Sequence, residues 1–266
     1  KRSGSDQTVA LNSDVLVNID LNQVFHLHNT AEPKITVVYK KLPKELISDV
    51  NSILEIDESD KVLSHELFQG GDKEAYNMST DIFVVDTPFL IAKLEEEAAK
   101  EEPRKLRYVL RDLAVAENAF AYEYTGYLSN IHSVKAYFDA NLDMLESQKF
   151  YKLFAPNQKV YTKVKNEEPT YYSDSSEVKL SQFASGSIVR GKVENSVISR
   201  NVDLSEGSSV SHSILFPRVK VAKGATVEYA IVDKGVEIAE GVTIRGTENN
   251  PVVIKKGSVV TEDIVR

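Results

Sequence analysis

Aliphatic residues in the last third of the chain keep a strict 17-residue clock. Leu204, Val210, Leu215, Val221, Val227, Val232, Ile238 and Ile244 follow one another at spacings of 6, 5, 6, 6, 5, 6 and 6, so three steps close one turn. Leu204, Val221 and Ile238 form one ladder, Val210, Val227 and Ile244 a second, and Leu215 with Val232 a third. Such a period describes a coil of short parallel strands stacked turn on turn, because each unit can bury its apolar face only against the next. The pattern runs from roughly Val178 to Val260 and excludes an ordinary globular domain there. Gly207, Gly224 and Gly241 keep the same interval, which places a corner with positive φ, or no room for a Cβ, in every turn. Glu206, Lys223 and Glu240 precede those glycines and would stack with alternating sign. Val202, Val219 and Val236 form one more line, expected on an outer or corner edge as an apolar flank for self-association or docking.

The hexad rhythm resembles the left-handed parallel β-helix of hexapeptide proteins, a triangular prism with three strands per turn and an exception to the usual right-handed crossover. Its hand comes from that resemblance and not from the period.

Composition narrows the classes of function. With 32 basic and 40 acidic residues the net charge is −8, and no Lys/Arg-rich run offers a footprint for nucleic acid or an anionic membrane. Without cysteine the chain has neither disulfides nor thiolate metal sites, which allows a reducing compartment. No apolar run approaches bilayer length, and the expected location is the cytoplasm. The chain starts at Lys1 and soon enters the apolar stretch Thr8 to Leu11, as expected of the later part of a longer protein.

The first half alternates strand and helix signals. Residues 8–17 form a strand running into Ser13-Asp14, and Asp20 caps a helix with Leu21, Val24, Phe25 and Leu27 on one side. A second strand, Lys34 to Tyr39, ends before Pro43. Strand, helix and strand make a βαβ unit with Asp14 at a strand's C-terminal end, the edge at which open α/β sheets bind ligands. Further expectations are a strand at Met78–Val85, helices from Thr87 to about Lys100 and from Arg104 to Ala116, and a strand at Ala119–Tyr127. A helix over Ser133–Leu145 would turn Val134, Tyr137, Phe138, Leu142 and Leu145 inward. The domains expected are an α/β domain at 1–150, a connector at 151–180 containing Pro156 and Pro169, and the coil at 181–266.

Three strings carry a family resemblance. Ser13-Asp14-Val15, followed by a helix ending His26-Leu27-His28, resembles the metal-aspartate segment of sugar nucleotidyltransferases. GYLSNIHSVKAYFDANLDML, Gly126 to Leu145, is similar to that family's G-Y-W-x-D-(V/I)-G-T-x-x-A-Y-x-x-A-N-x-D-L. ILFPRVKVAKGATVEYAIVDKGVEIAEGVTI resembles the coil of glucose-1-phosphate adenylyltransferase, and the likeness covers nearly the whole chain. The resemblance implies a Rossmann-like α/β nucleotidyltransferase domain, its N-terminal part missing, followed by the left-handed β-helix. The family makes ADP-glucose from ATP and glucose 1-phosphate for glycogen or starch, as a tetramer under allosteric control. A sugar-phosphate oxygen attacks the α-phosphate and pyrophosphate leaves, which calls for Mg²⁺ on carboxylates and basic groups around the phosphates.

Only part of that machinery is matched. Asp14 occupies the position of one metal carboxylate. The second falls on Asn130, an amide that supplies no charge, while the Gly-Thr that follows is His132-Ser133 and the preceding Trp is Leu128. No lysine or proline lies between Leu63 and Gly71, where the family's Glu-Lys-Pro belongs. The Ser-Met-Gly of the glucose pocket is Asn77-Met78-Ser79. Losses at chemical positions beside a well-kept coil are the pattern of a regulatory, weakly or non-catalytic subunit, like the second subunit of this family's two-subunit form in Gram-positive bacteria. That implies a hetero-oligomer with a catalytic adenylyltransferase subunit, a tetramer by family. An independently active adenylyltransferase, a hexapeptide acyltransferase using His212, and a pure oligomerisation scaffold are the other readings. Basic residues near the domain junction form the family's activator site, so Arg218 and Lys220 are effector candidates by location, with solvated surface charge as the plainer reading. His26 and His28, two apart on a helix, point to different sides and make a poor metal pair.

Overall fold

The structure, a computed structural model, describes residues 4–154 and 159–266. Pro156, expected in the connector, lies outside them. The chain forms two compact units, Lys1–Leu128 and Ser129–Arg266.

The first unit is a mixed sheet between helices. Its elements are β1 (Gln7–Ala10), β2 (Val15–Val17), α1 (Leu21–Ala31), β3 (Ile35–Pro43), β4 (Ser52–Ile56), β5 (Val62–Leu67), β6 (Ala75–Asp86), α2 (Thr87–Ala98), α3 (Leu106–Ala116) and β7 (Phe120–Glu123). The main sheet runs β5-β4-β6-β3-β7, and β1 shares one edge of the long β6 with β4. Both β1 and β3 are antiparallel to β6 and therefore parallel to each other, so the expected strand-helix-strand crossover exists with β6 inserted between its strands. Alternation along the central strands sorts the two faces. Val38, Ile82 and Val84 bury against Val24 of α1, whereas Val37, Phe83 and Val85 bury with Leu90 of α2 and Leu110 and Ala114 of α3. The Asp20 carboxylate accepts from the Asn22 amide at 3.0 Å and starts α1 as its N-cap.

Several boundaries differ from the sequence reading. Strand β3 runs through Pro43, which pairs with Ala75 at the strand's end, where a missing N–H costs the ladder little. The strand expected to reach Tyr127 stops at Glu123. There the chain turns, with the Tyr124 hydroxyl donating to the Tyr127 carbonyl at 2.9 Å and Lys40 Nζ donating to the Gly126 carbonyl at 2.8 Å. The β4–β5 hairpin was not foreseen.

The second unit begins with β8 (Leu128–Asn130, whose first residue closes the first unit), α4 (Val134–Leu142) and α5 (Ser147–Leu153), and continues as a β-solenoid. Helix α4 is shorter than expected and hands over to a 3₁₀ turn at Asp143–Leu145. Phe138 is buried as expected, but Val134 is 52% exposed because it occupies the first turn, beyond the surface the helix covers. The coil consists of two six-stranded parallel ladders and one five-stranded ladder, beginning at Tyr171–Tyr172 and ending at Ile264–Val265. All three predicted aliphatic ladders are register partners: Leu204 with Val221 and Ile238, Val210 with Val227 and Ile244, and Leu215 with Val232. Each of these side chains is fully or almost fully buried.

Val202, Val219 and Val236 are also interior, at 1% exposure or less, so they fill the corner of the core and do not form an outer flank. The apolar outward line is instead Ile214 with Ile231, and Phe138 of α4 packs on it. The charge ladders sit elsewhere than on Glu206, Lys223 and Glu240. Directly opposed register partners make the ion pairs Lys192–Glu177 (2.9 Å), Lys179–Glu194 (2.6 Å), Lys220–Glu237 (2.7 Å) and Arg245–Glu228 (2.7 Å).

Corners in the coil are left-handed. Gly207, Gly224 and Gly241 have φ of 71°, 67° and 73°, and a Cβ on Gly224 or Gly241 would meet nothing within 4 Å, so backbone conformation and not space selects glycine there. A second corner line is Asn195, His212 and Tyr229, and a third is Asn201, Arg218 and Gly235, all with positive φ.

Candidate functional site

Within the first unit an ion-pair chain links the end of β1, the middle of β6 and one face of α3. Asp14 follows β1 and is partly exposed, with its carboxylate 3.3 Å from Arg107 Nη2. The same guanidinium nitrogen donates to Asn12 Oδ1 at 3.0 Å, and Arg107 Nε lies 3.4 Å from Asp81 Oδ2. Asp81 in turn accepts a bidentate pair from Arg111, with Nε to Oδ1 at 3.0 Å and Nη2 to Oδ2 at 2.6 Å. Arg107 and Arg111 are four apart on α3 and so share a face. Asp81 is buried, and an unpaired charge there would be costly, so the fork geometry of Arg111 is what makes that burial tolerable.

Asp81 also has φ +53° and sits where the β3–β6 register shifts. The conformation a glycine would adopt most easily in this strand therefore falls at Asp81, two residues beyond Ser79. Of the three residues expected at a sugar pocket, Met78 is fully buried against Leu42, Ile47 and Phe68, Ser79 Oγ accepts from the Asp81 amide at 3.2 Å, and Asn77 pairs across to β3 and β4.

His65 on β5 lies beside this chain. Its Nε2 is 4.0 Å from Asp81 Oδ1 and 2.9 Å from Ser52 Oγ, and its side chain is fully buried. Burial is the main cause that pulls its pKa down to about 4, helped by Arg111 and opposed by Asp81 and Asp112. The ring is neutral near pH 7. It occupies the stretch in which a phosphate-gripping lysine was sought, and a buried neutral imidazole holds no such charge.

Asn130 is buried at the end of β8, with its carbonyl 3.2 Å from His132 Nδ1. Among the described residues no group of three His, Cys, Asp or Glu could hold a metal ion. Asp14 faces a guanidinium, and Asn12 uses its amide oxygen on the same guanidinium. The residues at Asp14 thus do not fit Mg²⁺. His26 is exposed, whereas His28 is buried with Nδ1 2.8 Å from Thr36 Oγ1 and Nε2 3.3 Å from Asp86, a packing histidine. His212 lies within a coil corner and stacks on Tyr229 with centroids 4.8 Å apart.

The second unit carries a cleft of about 310 Å³ lined by Lys165, Glu167, Arg200, Asn201, Pro217, Arg218 and Lys234. Four cations against one carboxylate give the lining a net charge of +3, on a chain of −8. Glu167 lies 3.5 Å from Arg200 Nε and answers only part of that charge. Arg218 is thus placed at a cationic cleft. Lys220 is not among the lining residues, and its ammonium hydrogen-bonds Glu237, which raises its pKa. Sequence reasoning missed Asp81, Arg107, Arg111 and His65, although the spacing of the two arginines on a helix was visible.

Residues 166–265 match the family model described as "GlmU-like, C-terminal hexapeptide". The chain is 34% identical over 197 residues to the glycogen biosynthesis protein GlgD of Bacillus subtilis, covering 74% of this chain and 55% of that protein. It is 53% identical over 127 residues to a glycogen biosynthesis protein GlgD of Geobacillus stearothermophilus, covering 48% and 37%. It is 24% identical over 215 residues to a glucose-1-phosphate adenylyltransferase of Thermosipho africanus, covering 77% and 50%. The chain spans about half the length of the relatives it matches. It is a relative of both kinds of protein and carries a hexapeptide coil. Among the described residues no helix is long and apolar enough to cross a membrane.

Proposed function

We propose that this chain is part of a regulatory, weakly or non-catalytic subunit that assembles with a catalytic glucose-1-phosphate adenylyltransferase in glycogen synthesis. The observation that carries the reading is the state of the chemical positions beside an intact coil. Asn130 is a buried amide where the resemblance calls for a metal carboxylate, and the lysine stretch offers the buried, neutral His65. The relatives named for glycogen biosynthesis and for the adenylyltransferase support the pathway and the partner. In this reading ATP and glucose 1-phosphate belong to the assembly, Mg²⁺ to the partner's site, and the location is cytoplasmic.

Regulation is assigned to the cationic cleft at Arg218. Four side-chain cations around one carboxylate suit a multiply charged anion such as a phosphate group, and gathering like charges is unfavourable until an anion enters, an effect that solvent weakens at the exposed Lys165, Arg218 and Lys234. Lys220, neutralised by Glu237, is left out of the effector site.

The test mixes the intact gene product with the catalytic adenylyltransferase of the same cell and follows sedimentation and phosphate response. A mixed oligomer is expected, with a phosphate response that Arg218→Ala weakens. Separate species, with catalytic kinetics untouched by this chain, would contradict the proposal.

A further inference from the structure

We infer that Arg107 takes the place of a divalent cation at Asp14, so that the carboxylate is balanced from within the protein and takes no metal. The inference deepens the regulatory reading and rests on it for the meaning of the Asp14 position, but its geometry stands independently.

The guanidinium is held from three sides. Its Nη2 reaches Asp14 Oδ2 at 3.3 Å and Asn12 Oδ1 at 3.0 Å, while its Nε faces Asp81 Oδ2 at 3.4 Å. These are oxygen donors of the kind a hard cation collects, yet here they face a planar cation that serves Asp14 and Asn12 through Nη2 and approaches Asp81 as an ion pair. The charges close within the set, since Asp14 and Asp81 balance Arg107 and Arg111. Asp81 is kept from turning toward any other cation by the two bonds from Arg111, and Asn12 Nδ2 lies 3.5 Å from the same carboxylate. Asp81 holds this position at φ +53°, a conformation unfavourable for a residue with a Cβ. A divalent ion entering at Asp14 would have to displace Arg107 or add two charges beside it, and either route weakens binding.

The experiment titrates Mn²⁺, an octahedral oxygen-seeking stand-in for Mg²⁺, into the full-length gene product and counts bound ion by electron paramagnetic resonance. Wild type and Asp14→Asn are expected to titrate alike. Arg107→Met should gain one site, at least about tenfold tighter than anything in wild type, and Asp14→Asn in that background should remove it. The inference is overturned if Asp14→Asn strips an ion from wild type, or if Arg107→Met titrates as wild type does. Asp14 is partly exposed, so the comparison of wild type with Asp14→Asn remains readable even where Arg107→Met does not fold. A wild type that binds Mn²⁺ at Asp14 yet releases no pyrophosphate would defeat this inference and leave the regulatory reading standing.

Discussion

His65 and Arg218 show how single residues carry opposed demands in this chain. Burial holds His65 near pKa 4 in the fold against an ordinary 6.5, so the folded state disfavours the protonated ring. Between those values the unfolded chain binds more protons, and stability therefore falls as pH drops from about 6.5 to about 4. The loss is at most about 3 kcal/mol. Urea unfolding at pH 7 and pH 4.5 should show a drop that His65→Gln reduces, and an unchanged pH dependence in that variant would show that the ring does not titrate this way. Arg218 stands at φ +63°, while its corner counterparts one turn away are Asn201 and Gly235, which tolerate that conformation better. Arg218→Asn should therefore stabilise the coil by about 0.5–1 kcal/mol while weakening phosphate binding, with strain relief and reduced cationic crowding acting together. A lower urea midpoint in Arg218→Asn would mean that the side chain packs and is not strained. Neither residue's burden was visible in the sequence, because His65 depends on a hairpin that joins at a distance and Arg218 on which residue of each turn takes the corner.

At the level of elements, the coil was legible almost residue by residue and the α/β unit only in outline. In a stacked solenoid the register follows from a single period, so naming Leu204, Val210 and Leu215 determined what lay above each of them. Inside and outside were harder to tell, since Val202, Val219 and Val236 keep the same interval as the anchors and periodicity alone does not say which way a corner residue points. The β4–β5 hairpin went unseen because Ser52–Ile56 and Val62–Leu67 mix polar and apolar residues. Its signal was the polar run Asp57-Glu58-Ser59-Asp60 between two β-capable segments, with Asp60 at φ +58° in the turn. The coil also has a polar device that the period did not reveal. Ser213 is fully buried, its Oγ accepts from the Ala230 amide one turn on at 3.1 Å, and it donates to the Ser211 carbonyl at 2.7 Å. Ser196 serves the Ser213 amide in the same way at 3.1 Å. Ser213→Ala leaves a buried N–H without its side-chain acceptor and should cost about 1–3 kcal/mol in chemical denaturation. A change within about 0.5 kcal/mol, the range of an ordinary surface substitution, would mean that the corner relaxes to satisfy the amide otherwise.

For the whole molecule, the proposed function is a division of labour, with chemistry in a partner and assembly and regulation in this chain. The candidate site was legible as a set of losses at Asn130 and between Leu63 and Gly71. It was not legible as a gain, because the pairing of Asp14 with Arg107 requires residues 93 apart to meet. The cationic cleft was nearer to legible, because Arg200, Arg218 and Lys234 lie on or beside one corner line of the 17-residue period, and only Lys165 comes from before the coil. The most direct measurement is pyrophosphate release from ATP and glucose 1-phosphate by the intact gene product, alone and mixed with the catalytic adenylyltransferase. No significant release alone and a changed rate or effector response in the mixture are the expected results. Strong Mg²⁺-dependent release by this protein on its own would contradict the proposed function.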